Sequence, residues 1–283
     1  MTKETFAEKL EAALGARVAS LSPVAGGCIA AAQEARFDDG RRVFVKRYDD
    51  SRLVEGEAFM LRYLAAKGAP APAVLYAEDG LLVLEWLDRN NDDTNAADED
   101  AGRKLATLHN VRAEQYGFER DVAIGPLPQP NGWARDWPEF FAERRITYMA
   151  KLCRDAGAVD AAMAARLDRF AGRLAEFLPA APEASLLHGD FWSGNVLRAS
   201  GRVTGFIDPA LYYGDGEVDL AFAGMFGGFG ERFYAAYAEM RPAEKGRNAR
   251  ADIYRLWPAL VHVRLFGAGY LSSVEPVLVR LGV

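Results

Sequence analysis

The chain has 283 residues, half of them hydrophobic and 26% charged, with a formal net charge of −6. That is enough chain to bury a sizeable core as one large domain or two lobes, and the acidic balance argues against a general nucleic-acid binder, which needs clustered Lys and Arg. The only cysteines, Cys28 and Cys153, are too far apart in sequence to suggest a disulfide framework or a metal cluster, and a reducing cytoplasm is the expected compartment.

The opening residues are charged and amphipathic, so they read as neither signal peptide nor membrane span. Phe6, Leu10, Ala13 and Leu14 recur at helical spacing and predict a short packed helix. Gly26 and Gly27 then mark a place where the backbone can bend tightly. The run 29–37 and the run 42–48 (Arg-Val-Phe-Val-Lys-Arg-Tyr) flank Asp38-Asp39-Gly40, which predicts an antiparallel hairpin. Ala58, Leu61 and Leu64 predict a helix over 55–66, closed by Gly68. Leu81 to Trp86 is a short apolar run suited to a buried strand. The polar stretch 88–100 reads as a solvated linker and helix start, and divides a small β-rich unit, 1–87, from a larger mainly helical one, 88–283. Helical patterns follow over 99–109, 137–153, 161–177, 231–239 and 251–266, interrupted by short strand-like runs around Val196 and Phe206.

The chemistry concentrates between Leu186 and Leu220. His188-Gly189-Asp190 is followed by Asn195 five residues after the acid, and Asp208 ends the next apolar run. This is the spacing of a phosphoryl-transfer catalytic loop followed by a metal-holding Asp. Asp190 is the candidate to orient and deprotonate an acceptor hydroxyl, since the loose transition state makes positioning the main task. Asn195 and Asp208 offer oxygens to Mg²⁺ beside the phosphates of ATP. Lys46 lies inside an apolar strand, where an inward ammonium needs a partner. Glu57 on the following helix is the preferred one, with Glu55 the alternative. Such a pair grips the α- and β-phosphates in kinases.

Gly26, Gly27 and Cys28 precede the Lys46 strand, where backbone amides can approach phosphates; an ordinary hairpin turn is the other reading. Cys28 near the phosphates would make ATP turnover sensitive to thiol reagents; an inert small apolar residue is the other reading. Glu85-Trp86-Leu87 is the expected hinge, whose backbone meets the adenine edge. Trp192 is placed either against an apolar sugar face or in the core. His188 reads as a loop anchor, and His109 and His262 read as structural or substrate-side groups with no assigned role.

Beyond the His-Gly-Asp loop, the chain carries His-Gly-Asp-Phe-Trp-Ser-Gly-Asn-Val from His188 and Ile-Asp-Pro-Ala-Leu-Tyr-Tyr-Gly-Asp-Gly-Glu-Val-Asp-Leu-Ala-Phe from Ile207. It also carries Gly-Pro-Leu-Pro-Gln-Pro-Asn from Gly125, Trp-Ala-Arg-Asp-Trp-Pro-Glu-Phe-Phe from Trp133, Met-Phe-Gly-Gly-Phe from Met225 and Leu-Phe-Gly-Ala-Gly-Tyr from Leu265. With these motifs it resembles the fructosamine kinase (ketosamine-3-kinase) family, relatives of aminoglycoside phosphotransferases, over nearly its whole length.

The resemblance implies an α+β, bilobal protein-kinase-like fold. It implies transfer of the ATP γ-phosphoryl to the 3-hydroxyl of a ketosamine, giving an unstable product that releases the free amine. The substrate would be a small-molecule or protein-linked ketosamine, acted on by a monomer or homodimer with no nucleic acid or membrane partner. Carried over by motif, Asp190 is the base, Asn195 and Asp208 hold metal, and Lys46 and Glu57 form the phosphate pair. Trp192 and Asp215 fall on the acceptor side, and Asp219 ties down the loop. Many family members carry Gly-Gly-Asp-Ile where this chain has Gly26-Gly27-Cys28-Ile29, a change that leaves backbone binding of phosphate intact. The alternatives are a kinase for another hydroxyl acceptor, such as an amino sugar or a choline-like alcohol, and a catalytically silent nucleotide-binding module. Retention of Lys46, Asp190, Asn195 and Asp208 together argues against the silent module.

Overall fold

The structure, a computed structural model, describes residues 6–24, 31–90 and 94–283. Gly26, Gly27 and Cys28 lie outside the described residues, so the expectations placed on them are left as they stand.

The N-terminal part is a helix, α1 (Phe6–Leu14), and a five-stranded antiparallel sheet with a second helix, α2 (Ser51–Ala66). The strands are β1 (Val18–Pro23), β2 (Ala31–Phe37), β3 (Arg42–Arg47), β4 (Val74–Glu78) and β5 (Leu81–Glu85), in the spatial order β1-β2-β3-β5-β4. The hairpin forms where Asp38-Asp39-Gly40 predicts it. Gly40 takes φ +85° and returns its N–H to the Phe37 carbonyl at 3.0 Å.

The two-residue period of β3 decides what meets what. Val43 and Val45 turn to one face and pack with Leu10, Ala35, Phe37 and Val83. Phe44 and Tyr48 join the opposite face, where Val54, Ala58 and Leu61 of α2 close on Leu82 and Leu84 of β5. Lys46, in step with them, therefore faces α2. That helix starts earlier than its apolar spacing predicts, because Asp50 caps it by accepting the Arg52 N–H at 3.0 Å.

After β5 the chain passes Trp86 and Leu87 and enters the helical part through α3 (Thr94–His109). The small strands β6 (Val122–Ile124) and β7 (Leu127–Gln129) pair with each other. The helical pattern predicted over 137–153 forms as α4 (Trp137–Phe141), a π-helical segment at Ala142–Thr147 and α5 (Tyr148–Asp155). The extra residue in the π turn lets Arg145 enter the core. There it lies over the rings of Tyr212 (3.9 Å), Phe140 (4.8 Å) and Trp257 (5.3 Å), and it donates to Pro130 O and Asn131 Oδ1, both at 2.7 Å.

The predicted helix 161–177 stops early. Helix α6 (Ala161–Ala171) ends at Gly172, and a separate 3-10 turn covers Leu174–Glu176. Next come β8 (Ser185–Leu187), β9 (Val196–Ala199), β10 (Arg202–Phe206), β11 (Tyr212–Gly214) and α7 (Glu217–Ala223). The chain closes with α8 (Glu231–Met240), α9 (Arg247–Phe266) and α10 (Glu275–Arg280). Strand β8 pairs with β11, and β9 with β10. Helix α3 packs closely on α8 because Gly102 has no side chain: a Cβ there would stand 2.3 Å from the Phe233 carbonyl oxygen. Among the described residues no helix is long and apolar enough to cross a membrane.

Candidate active site

The loop between β8 and β9 carries Asp190, and its shape is imposed from behind. Asp219, on the first turn of α7, is fully buried and accepts the backbone N–H groups of His188 (2.7 Å) and Gly189 (2.9 Å). The same carboxylate meets His109 Nε2 at 3.1 Å, and His109 Nδ1 is 2.8 Å from the Tyr237 hydroxyl. Gly189 takes φ +82°, and a Cβ at this position would lie 1.9 Å from the Ala210 carbonyl oxygen. No other residue fits that approach. His188 is buried, and burial lowers its pKa, so it is neutral; its Nδ1 accepts the Asp190 N–H at 3.3 Å. It anchors the loop.

Removing the Asp219 carboxylate strands three buried donors. Each costs about 1–3 kcal/mol when left unpaired. Asp219→Ala is therefore expected to lose upwards of about 3 kcal/mol of stability in a denaturant melt. A loss under about 0.5 kcal/mol, the range of a neutral surface change, would contradict this anchoring role.

Asn195 holds the front of the loop. Its side-chain N–H₂ donates both to the Asp190 carbonyl and to Asp190 Oδ2, each at 2.9 Å. That leaves the Asn195 side-chain oxygen for another partner. The Ile207 N–H bonds back to the Asn195 carbonyl at 3.0 Å, tying the loop to the end of β10. Asp208 follows in the left-handed region, φ +54°. Such a conformation costs a non-glycine residue about 1 kcal/mol, and Asp tolerates it better than most.

Lys46 bridges the two halves of the molecule. Its ammonium donates to Glu57 Oε1 at 2.8 Å and to Asp208 Oδ1, and Tyr48 donates its hydroxyl to Glu57 Oε2. Glu55 lies on the surface, 3.3 Å from Arg120. Burial by itself would lower the pKa of Lys46. Asp208 and then Glu57 outweigh it and hold the ammonium well above its ordinary range. Burial raises Glu57 against the pull of Lys46, whereas Lys46 overcomes burial at Asp208 and lowers it. The Lys46–Asp208 pair thus stays charged, with 39% of the Asp208 side chain open to the cleft. Asp190 behaves differently. Burial, and next the charge of Asp208, push its carboxyl up to about 7, with Asn195 opposing.

These side chains line one cleft of about 620 Å³. Ala32, Phe44 and Leu84 cover one side of it, Leu197 and Ile207 the other, and Glu85, Trp86 and Leu87 run along its edge. The size and apolar walls suit a nucleotide base and its acceptor. The Glu85 side chain accepts the Ala73 N–H at 3.1 Å, so any adenine contact at this edge falls to the backbone. Arg42 stacks on Trp86, its guanidinium carbon 4.4 Å from the ring centre.

Trp192 also lines the cleft and is packed against its own loop: a Cβ at Gly194 would lie 2.2 Å from its ring. Asp215 is placed elsewhere. It is buried behind the loop, accepts from Tyr254 OH at 2.6 Å and from the Glu217 N–H at 2.9 Å, and does not line the cleft. Its position in the Tyr-Tyr-Gly-Asp motif reflects the tie between β11, α7 and α9.

Two contributions to the cleft are not foreseen in the sequence reading. Tyr48 is signalled only by standing two residues after Lys46, on the same strand face. The wall of Phe226, His262, Phe266 and Tyr270 comes from the loop after α7, the end of α9 and the 3-10 turn Ala268–Ser273, far apart in sequence.

The fit to a divalent cation can be judged from the donors. Among the described residues no cluster of three or more His, Cys, Asp or Glu could hold a metal by itself. Asp208 and the Asn195 oxygen would supply only two protein ligands. That suits Mg²⁺, which keeps several waters and takes the rest of its shell from substrate phosphates.

A small N-terminal sheet with one central helix, joined by a single edge segment to a helical part that carries the catalytic loop, defines a protein-kinase-like fold. The same architecture is seen in an aminoglycoside phosphotransferase solved with AMP-PNP and hygromycin B (TM-score 0.68, 18% identity, 98% of this chain and 96% of that one). The fructosamine kinase family model matches residues 2–281, and the chain belongs to that family. It is 35% identical to the chloroplastic protein-ribulosamine 3-kinase of Arabidopsis thaliana, over 93% of this chain and 82% of the relative. It also superposes on a solved protein of Thermobifida fusca, provisionally assigned as a fructosamine-3-kinase, with a TM-score of 0.87, 32% identity and 97% of each chain covered.

Proposed function

We propose that this chain is an ATP-dependent kinase that phosphorylates the 3-hydroxyl of a ketosamine, a sugar joined to an amine by glycation, and so leads to release of the amine. The observation that carries the proposal is the convergence of Lys46, Glu57, Asp190, Asn195 and Asp208 on one cleft from four separate segments. Family membership and the activity in the name of the Arabidopsis relative support the acceptor class.

In this reading Lys46, fixed by Glu57 and Tyr48, contacts the α- and β-phosphates once ATP enters. Asp208 and the Asn195 oxygen would hold Mg²⁺. The chemistry such a cation would supply is neutralisation of charge on the phosphates. Asp190 accepts the proton of the attacking 3-hydroxyl, and its bonds from Asn195 fix the carboxylate for that task. The backbone of Glu85–Leu87 faces the adenine edge, and Trp192 stands at the acceptor.

The test is ATP consumption with Mg²⁺ on ribulosamine, erythrulosamine and fructosamine substrates, with aminoglycosides and choline as controls. Turnover confined to the ketosamines is the expected result, and turnover only on a control would reassign the acceptor.

A pH dependence follows from Asp190. The base works ionised, and its carboxyl sits at about 7. Activity is thus held above that pH and lost as pH falls through it. The expected kcat/KM declines about tenfold per unit on the acid side, because that ratio reports the ionisation of the free enzyme. A profile flat down to pH 5 would contradict the role of Asp190.

A further inference from the structure

We infer that His262 is a substrate-positioning residue, whose Nε2 accepts a hydrogen bond from the protonated secondary amine of the ketosamine inside an aromatic box. The inference rests on the ketosamine reading above and deepens it by assigning recognition of the amine.

The ring orientation is set by the helix. His262 Nδ1 lies 2.7 Å from the Pro258 carbonyl, one turn earlier on α9. A carbonyl can only accept, so the proton is on Nδ1. Burial lowers the His262 pKa and keeps the ring neutral, which makes Nε2 an acceptor. Among the described residues Nε2 has no protein partner, and His262 lines the cleft.

Around it stand rings from three segments. Tyr270 lies 5.0 Å from the imidazole between ring centres, Phe226 4.9 Å and Phe266 5.5 Å, and Trp192 meets Phe226 edge-on at 5.8 Å. Phe226 and Phe266 keep 43% and 51% of their surface exposed, so the box opens to solvent at one end. Among the described residues no carboxylate belongs to this wall; the acidic groups lining the cleft are Glu57, Glu85, Asp190 and Asp208.

A wall of π faces that holds a neutral imidazole acceptor suits a cation that also has an N–H to donate. A ketosamine has such a cation, with three carbons between its nitrogen and the hydroxyl oxygen assigned to Asp190. A chain on the far side of the amine could leave through the open end, where either a small group or a protein lysine could be accommodated.

The test compares a ketosamine with its ether analogue, in which oxygen replaces the amine and removes both the charge and the N–H. Wild-type enzyme is expected to show a KM for the amine about tenfold or more below that for the ether, as a hydrogen bond to a charged group implies. His262→Phe keeps the aromatic packing and removes the acceptor. It should raise the amine KM about tenfold, leave the ether KM unchanged and hold kcat within about threefold. His262→Gln, with an acceptor oxygen, should recover part of the loss. An unchanged amine-to-ether ratio in His262→Phe, or equal KM rises for both, overturns the assignment. Absence of wild-type turnover on any ketosamine overturns the underlying function reading instead, and this assignment with it.

Discussion

Asp190→Asn is expected to lower kcat by about 10³-fold or more while Mg·ATP still binds, because general-base assistance together with the positioning of the hydroxyl lies within the range of 10²–10⁴ per catalytic group. The substitution keeps the shape of the side chain. It can still take part in a hydrogen bond with Asn195, now found at 2.9 Å from Asp190 Oδ2. What it removes is the capacity to take a proton, and the charge that faces Asp208. Loss of that charge leaves less repulsion in the loop, so the variant should be no less stable than wild type. The combination of intact nucleotide binding, unchanged or raised stability and a collapsed kcat separates a chemical role from a structural one. Single-turnover kinetics with a titration of ATP binding reads all three. A kcat within tenfold of wild type would remove Asp190 from the role of base.

Lys46→Met should have the second largest effect, and a different signature. Among the described residues Lys46 alone hydrogen-bonds both Glu57 and Asp208, and its side chain is 9% exposed. Its loss leaves Glu57 buried with Tyr48 and without its cation, and breaking a buried pair from one side costs about 3–5 kcal/mol. It also removes the proposed contact to the phosphates, which for a single electrostatic donor is worth about 10²–10³ in rate. Both stability and turnover should fall. The Lys46→Met, Glu57→Leu double variant discriminates the two effects. Replacing both partners restores much of the stability, since no lone charge remains, but restores no turnover. Thermal melts and ATP turnover of the three variants check this. Recovery of activity in the double variant would show that Lys46 acts only on stability.

Much of this cleft could be read from the chain because the relevant periods are short. Lys46 faces α2 because side chains alternate on a strand, and Glu57 faces back because Ala58, Leu61 and Leu64 fix the buried side of the helix. Asp190, Asn195 and Asp208 meet because one loop and one hairpin carry all three. The edge at Glu85–Leu87 follows from the end of an apolar strand.

Contacts made across long separations were not legible. Asp215 looked like an acceptor-side residue from its motif, yet Tyr254, 39 residues later, draws it into the core. The Phe226–His262–Phe266–Tyr270 wall needs the packing of α9 against α7, which no local period reports. The π turn at Ala142–Thr147 is also invisible to a 3.6-residue pattern; the burial of Arg145 among Phe140, Tyr212 and Trp257 depends on it. Helix α2 starts early at Ser51, because the Asp50 cap rather than apolar spacing sets its first turn.

Incubation of the protein with Mg·ATP and a fructosamine or ribulosamine, followed by phosphorus NMR with carbon-coupled assignment, tests the central claim most directly. The account predicts one new phosphomonoester, on O3 of the sugar, whose decay releases the free amine. A phosphate on any other oxygen, or ATP hydrolysis with no phosphorylated sugar, would contradict it.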